Sequence, residues 1–177
     1  MDAPAGDRGP QDPAARHGEA LAALYDRLGP ALYRTARTLL GDDGLAEDAV
    51  QDTFLGLVRS AVPLADLDNA RAYLFAAVRH AAAKVRARGR PVLPLDADAI
   101  AAAQPRPPDL NRAVRLEQAL AELPADQRDV IALKVDGGLT FAEVAACLGV
   151  SPNTAASRYR YALEKLRAAL GGSGHDP

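Results

Sequence analysis

Residues 139–161 read LTFAEVAACLGVSPNTAASRYRY. Thr140 and Glu143 stand three apart at the head of an apolar run, the spacing of a capping box in which each side chain satisfies an orphan N–H at a helix start. Ala145 and Leu148 fall on the inward side, and Gly149 supplies the permissive backbone of a tight turn. Val150 is expected to fill the angle between two helices. Ser151 can cap the second helix, with Pro152 in its first turn, where a missing N–H costs little. Along that helix Ala156, Tyr159, Leu163, Leu166 and Leu170 share one apolar stripe. Thr154, Ser157, Arg158, Tyr161 and Lys165 point the opposite way, with Asn153 and Arg160 on the flank. Box, glycine turn, cap and proline in this order specify a helix-turn-helix. The second helix has the make-up of a recognition helix: hydrogen-bonding side chains first, for base edges, then cations for phosphates. The N–H groups at its Ser151 end add a phosphate site. An ordinary amphipathic helix with a solvated face accounts for Glu164 and Lys165 but not for the ordered set.

Outward from this motif the periodicity predicts four helices, over Leu110–Leu123, Asp126–Asp136, Thr140–Leu148 and Pro152–Leu170, with residues 171–177 as a disordered tail. Upstream, five prolines (Pro91, Pro94, Pro105, Pro107, Pro108) break residues 91–109. A compact domain seldom holds so long a structureless connection, so this stretch reads as a flexible interdomain linker, with a short helix at Asp98–Ala103 as an option. Before it the helical pattern returns. Leu21, Leu24, Tyr25 and Leu28 share a face; Gly29-Pro30 interrupts, and Pro30 opens a helix carrying Leu32, Tyr33, Ala36, Leu39 and Leu40 that ends at Gly41. Asp42 or Asp43 can cap the next, which shows Leu45, Ala49, Val50, Phe54, Leu57 and Val58 and stops before Pro63. Asp68 can cap a long helix over Asn69–Arg88, with Leu74, Val78, Ala81 and Val85 inward. Residues 1–18 read as a disordered tail. The expected fold is all-α, with two small helical domains, 19–90 and 110–170, joined by the Pro-rich linker; neither strand signals nor internal repeats appear.

Composition agrees. The chain is 49% hydrophobic but only 5% aromatic, without Trp, so much of its apolar content is alanine and two small cores fit better than one large one. A net charge of −2 says nothing of nucleic acid, but its distribution does. Residues 41–59 hold five acids (Asp42, Asp43, Glu47, Asp48, Asp52) and one base, Arg59, whereas residues 71–90 hold six bases (Arg71, Arg79, Lys84, Arg86, Arg88, Arg90) and no acid. With Cys147 as the sole cysteine, no intrachain disulfide is possible and a reducing, cytoplasmic setting is expected. The N-terminal stretch reads as neither signal peptide nor anchor, and no apolar run approaches the ~20 residues that span a bilayer.

Two blocks carry a family resemblance. One is LAEDAVQDTFLGLVR, residues 45–59; the other is LPADQRDVIAL, residues 123–133, running into the helix-turn-helix. In this order, across a Pro-rich linker, they resemble the extracytoplasmic-function sigma factors, the smallest members of the main bacterial sigma superfamily. The likeness covers about residues 19–90, the family's region 2 helical bundle, and 110–170, its region 4 helix-turn-helix. It implies a transcription initiation factor that binds core RNA polymerase, directs it to promoters and helps open the DNA. Asp48, Gln51 and Asp52 would contact the clamp helices; 48 and 52 are one helical turn apart, giving one acidic, hydrogen-bonding face. The plainer account of the neighbouring Asp42, Asp43 and Glu47 is a solvated face that complements the helix dipole. The helix Asn69–Arg88 would carry downstream-element recognition and melting through Arg71, Tyr73, Arg79, His80, Lys84 and Arg86, with Val62–Asp68 capturing a flipped base. Phe75 is either a stacking residue or core. Arg79, Arg86 and Arg90 share one face and His80, Lys84 and Arg88 another; either can track phosphates. Ser151, Asn153, Thr154, Ser157, Arg158, Arg160 and Lys165 would read the upstream element.

Two departures bear on promoter choice. Where many members carry Trp-Leu…Arg-Asn…Asp, this chain has Tyr73, Leu74, Arg79, His80 and Lys84. Its recognition helix has Asn153, Thr154, Ala155 and Ala156 in place of Gly-Thr-Val-Lys. The extra cation implies stronger backbone attraction and altered base readout. The linker would thread the polymerase cleft, with Asp96 and Asp98 mimicking nucleic-acid charge, or would be a plain spacer. By resemblance the partners are core RNA polymerase (clamp helices and flap), promoter DNA and an anti-sigma factor, without membrane insertion, cofactor or small-molecule substrate. His17, His80, Cys147 and His175 lack metal-ligand spacing. Ser60, Ser151, Ser157 and Ser173 lack a nucleophile's context, so any catalysis is left to the polymerase. The alternatives are a stand-alone helix-turn-helix regulator that never engages polymerase, and a decoy that sequesters partners.

Overall fold

The computed structural model describes residues 13–60, 70–88 and 108–171, and all regular structure among them is helical. In chain order the helices are α1 (Pro13–Leu40), α2 (Asp43–Ser60), α3 (Ala70–Ala87), α4 (Pro108–Glu122), α5 (Ala125–Ile131), α6 (Phe141–Leu148) and α7 (Pro152–Gly171). A π-helical turn, Ala132–Asp136, prolongs α5. The first twelve residues, Val62–Asp68 with its proposed cap, Arg90, most of the linker with Asp96, Asp98 and the optional Asp98–Ala103 helix, and the end of the C-terminal tail lie outside the described residues.

α1 corrects the reading twice. It begins at Pro13, within the stretch read as tail, and it runs unbroken through Gly29-Pro30. A proline inside a helix costs about 3 kcal/mol through its lost hydrogen bond and ring clash. What offsets this is a buried stripe in helical register on both sides of it: Leu21, Leu24, Leu28, Leu32, Ala36 and Leu39. Burying each such leucine is worth roughly 1.5–3 kcal/mol, so packing decides against the local breaker. Pro30 itself stays on the exposed side.

α2 and α3 close on α1 to form the first bundle. α2 buries Leu45, Ala46, Ala49, Val50 and Leu57, and Thr53 satisfies its buried hydroxyl on the Ala49 carbonyl at 2.8 Å. Val58, expected inside, is 56% exposed. α3 buries Leu74, Phe75, Val78 and Ala82, with Ala81 and Val85 half-buried, so Phe75 is core. α3 is covered on two sides: by α1 and α2, and by α6 from the C-terminal half.

α4–α7 form the second bundle. α7 is the hub, touching α4, α5 and α6. Its buried line is Ala155, Ala162 and Leu166, with Tyr159 half-buried, rotated by about one position from the expected stripe. The ambiguity lies in the alanines, which a hydrophobic pattern weights too little to set the phase. A small cluster of Ala119, Leu123, Ile131, Ala162 and Leu166 is private to this half. The larger core is shared: Val130, Leu133, Leu139, Val144 and Ala155 are continuous with the leucines of α1 and with Leu74, Phe75 and Val78 of α3. Two small separate cores were expected; one core spans both halves.

Candidate polymerase and promoter interfaces

The acidic start of α2 divides into two groups. Asp42 is the helix cap, its Oδ1 accepting from Leu45 N at 2.7 Å. Asp43 accepts from Tyr33 Oη at 2.7 Å and Arg37 Nε at 2.6 Å. The tyrosine hydroxyl first, then the guanidinium, hold its carboxyl below the usual carboxylate range. These two acids therefore have structural duties. Asp48, Gln51 and Asp52 lie one turn on, all exposed, and make no hydrogen bond or ion pair among the described residues. The same face continues into Leu55, 45% exposed, and Val58. Spacings of three and four residues make one strip, acidic at its head and aliphatic at its foot. Sequence pattern alone missed the foot: it sets Val58 with the apolar stripe and gives Leu55 no part in it.

α3 also splits. Tyr73, His80, Lys84 and Arg88 share one exposed face. Arg71, Arg79 and Arg86 turn to the second bundle. Arg71 donates to the Gly137 carbonyl and lies 5.9 Å from the centroid of the Phe75 ring. Arg79 Nε meets Asp129 Oδ2 at 2.8 Å, Arg86 Nη2 meets Asp129 Oδ1 at 3.2 Å, and Arg86 Nη1 meets the Leu39 carbonyl at 3.4 Å. The six downstream candidates are thus brought together on one helix but on two faces, one open and one occupied.

The helix-turn-helix is built as its sequence specifies. Glu143 N donates to Thr140 Oγ1 at 3.2 Å and Thr140 N to Glu143 Oε2 at 2.8 Å, which completes the capping box. Gly149 holds φ +66°, the left-handed conformation that ends α6, and Val150 N reaches back to the Ala145 carbonyl at 3.1 Å. Val144 is the fully buried anchor of α6, more so than the expected Leu148. Ser151 Oγ accepts from Thr154 N at 3.1 Å, capping α7. Asn153, Arg160 and Lys165 are exposed, and Thr154, Ser157 and Arg158 are half-buried. Arg158 is held by Asp126 at 3.0 Å, and Arg160 lies 5.2 Å from the centroid of the Tyr161 ring. The motif is anchored from below by contacts no pattern announced. Arg128 donates to the carbonyls of Leu120 at 2.8 Å and Leu123 at 2.9 Å, and to that of Ala121, closing the end of α4. Arg115 does the same for α7 on Ala169 and Leu170.

Residues 24–90 match the family described as Sigma-70 region 2, and residues 113–166 match Sigma-70, region 4. The chain is 34% identical over 163 residues to the extracytoplasmic-function (ECF) RNA polymerase sigma factor SigL of Mycobacterium tuberculosis, covering 89% of this chain and 92% of SigL. The chain belongs to the ECF sigma factors. It is also 30% identical to the RNA polymerase sigma factor CarQ of Myxococcus xanthus, over 86% of this chain and 90% of that one. Among solved structures it resembles CnrH in complex with the cytosolic domain of CnrY, at a TM-score of 0.68 and 26% identity, covering 91% of this chain and 94% of that one. It also resembles the sigma factor RpoE in complex with the anti-sigma factor NepR from Bartonella quintana, at 0.66 and 28%, covering 88% and 99%. Region 2 of this sigma factor is α1–α3 and region 4 is α4–α7. As a sigma factor it is a non-enzymatic initiation factor, and the bond-making chemistry is the polymerase's.

Among the described residues no group of three His, Cys, Asp or Glu could hold a metal ion, and no helix is long and apolar enough to cross a membrane. Cys147 is half-buried, its Sγ 3.4 Å from the Ala72 carbonyl of α3, and burial, helped by Glu143, pushes its thiol up.

Proposed function

We propose that this sigma factor docks on the clamp helices of core RNA polymerase through Asp48, Gln51 and Asp52, with Leu55 and Val58 extending the contact. The supporting observation is that this strip is exposed and, among the described residues, free of internal ion pairs, while the neighbouring Asp42 and Asp43 each hold hydrogen bonds within the molecule. An apolar foot beside a charged head is the composition of a protein interface: burial supplies affinity and charge supplies orientation. Residues 19–90 serve polymerase binding and the downstream element; residues 110–170 serve the upstream element. On α3, Arg71, Tyr73, Arg79, His80, Lys84 and Arg86 contact the downstream DNA, with Tyr73, 42% exposed, offering a stacking surface. On α7, Ser151, Asn153, Thr154 and Ser157 face base edges, and Arg158, Arg160 and Lys165 hold phosphates.

The partners are the polymerase clamp and flap, promoter DNA and an anti-sigma factor, and the protein works in the cytoplasm where these meet. The anti-sigma partner is supported by the likeness to RpoE, solved in complex with the anti-sigma factor NepR. Run-off transcription with purified core polymerase and a random-promoter library tests the reading. The wild-type chain should yield specific transcripts, and the Asp48→Arg/Asp52→Arg variant should lose them by about tenfold or more, since like-charge juxtaposition at an interface costs several kcal/mol. No transcripts from the wild type, with salt-sensitive duplex binding that Arg158→Ala abolishes, would instead mean a stand-alone DNA-binding regulator.

A further inference from the structure

Three of the α3 arginines that the proposed function gives to promoter DNA are spent inside the molecule. Asp129, on α5 of region 4, is only 3% exposed, and each of its carboxylate oxygens takes one arginine, Arg79 or Arg86. A buried carboxylate between two guanidiniums presents to them what a DNA phosphate presents: a doubly accepting anion. The seam around it is fitted rather than incidental. A Cβ on Gly137 would lie 2.6 Å from the Leu133 carbonyl of its own region and 3.0 Å from the Phe75 ring, and one on Gly138, whose φ of +61° already favours glycine, 3.0 Å from the Arg71 guanidinium, so region 2 side chains pack directly on this glycine pair. Thr38 Oγ1 donates to Asp136 Oδ2 at 2.8 Å, and Thr35, fully buried, points its hydroxyl at the Ala132 carbonyl at 3.5 Å. The core is continuous across it.

We propose that this sigma factor is self-latched: region 4 docks on α3, Asp129 occupies Arg79 and Arg86 in place of promoter phosphates, and the downstream DNA and Asp129 compete for the same two arginines. Closure and downstream binding are mutually exclusive, so polymerase or DNA must part the regions before α3 can be used. The proposal rests on the assignment of α3 to promoter DNA.

Cys147, the sole cysteine, sits at the seam and reports on it. In the full-length protein without polymerase, Asp129→Asn keeps the shape but removes the anion. It should speed Ellman's labelling of Cys147 and tighten binding of a forked downstream promoter oligonucleotide about tenfold, the usual scale of a coupling between states. The salt dependence should steepen as two cations become available to phosphate. Upstream duplex binding through α7 should be unchanged, which excludes unfolding of region 4. In the converse arm, Ala72→Cys puts a second thiol on the residue whose carbonyl meets Cys147 Sγ at 3.4 Å, and diamide oxidation is used to staple α3 to α6. The stapled protein should lose the forked oligonucleotide and recover it on reduction. A stapled protein that still binds the forked oligonucleotide, or unaltered labelling and binding in Asp129→Asn, overturns the latch. Run-off transcription by holoenzyme carrying Arg79→Ala/Arg86→Ala checks the α3 assignment separately: unaltered transcription there removes the assignment, whereas lost transcription with an inert Asp129→Asn removes only the latch.

Discussion

Asp136 shows how a single side chain can work against the fold that holds it. Burial raises its carboxyl above the ordinary value, opposed by the hydrogen bond from Thr38 and by Arg34. The native state therefore binds its proton more tightly than the unfolded chain does. Its contribution to stability is full below the ordinary carboxylate pKa and is lost as pH rises through the raised one. Asp136→Asn keeps an acceptor for Thr38 without the buried charge. It should raise Tm by a few degrees at neutral pH, and the gain should shrink toward zero below the carboxylate range; thermal melts at both pH values check it. Nothing in the sequence marked Asp136, because its neighbours Thr38 and Arg34 lie far away along the chain, on α1. Arg128 is unmarked for another reason: its three carbonyl partners are near in sequence but meet it only once the α4–α5 corner has turned. The capping box of Thr140 and Glu143 was legible because it is completed within four residues.

At the scale of elements, the sequence speaks clearly where local and tertiary preferences agree, and misleads where they do not. The α6–turn–α7 unit has cap, glycine and proline all pointing one way, and its boundaries agree to within a residue. α1 is the counter-case, a helix kept whole by its buried leucines against Pro30. Since Pro30 is exposed, Pro30→Ala should restore a helical hydrogen bond without opening a cavity. The expected gain is about 1–3 kcal/mol, the intrinsic helix preference less the entropy that proline removes from the unfolded chain. Urea unfolding should show a higher midpoint with unchanged slope. The π turn at Ala132–Asp136 is a second local departure: Gly137 N bonds the Ala132 carbonyl at 3.0 Å, and the turn carries Asp136 to α1.

For the whole molecule, the family and the all-helical architecture were readable from the two sequence blocks, but the closing of one half on the other was not. The Arg79–Asp129 and Arg86–Asp129 pairs link positions 50 and 43 residues apart and leave no periodic trace. The alanine-rich composition pointed to two modest cores, whereas Phe75, Leu133 and Val144 belong to one. A shared core predicts shared melting. Far-ultraviolet circular dichroism and Cys147 labelling should report one transition with a common midpoint, and two separated transitions would mean that each region keeps its own stability. The position of α1 also matters during synthesis. α1 and α3 leave the ribosome first, yet part of what they bury is completed by a segment translated later. At ~5–20 residues per second, the stretch from Ala87 to Gly171 takes roughly 4–17 s to make. For those seconds every nascent chain displays Phe75 and the arginines uncovered, a window in which a chaperone or a waiting regulator meets a surface that the finished protein hides.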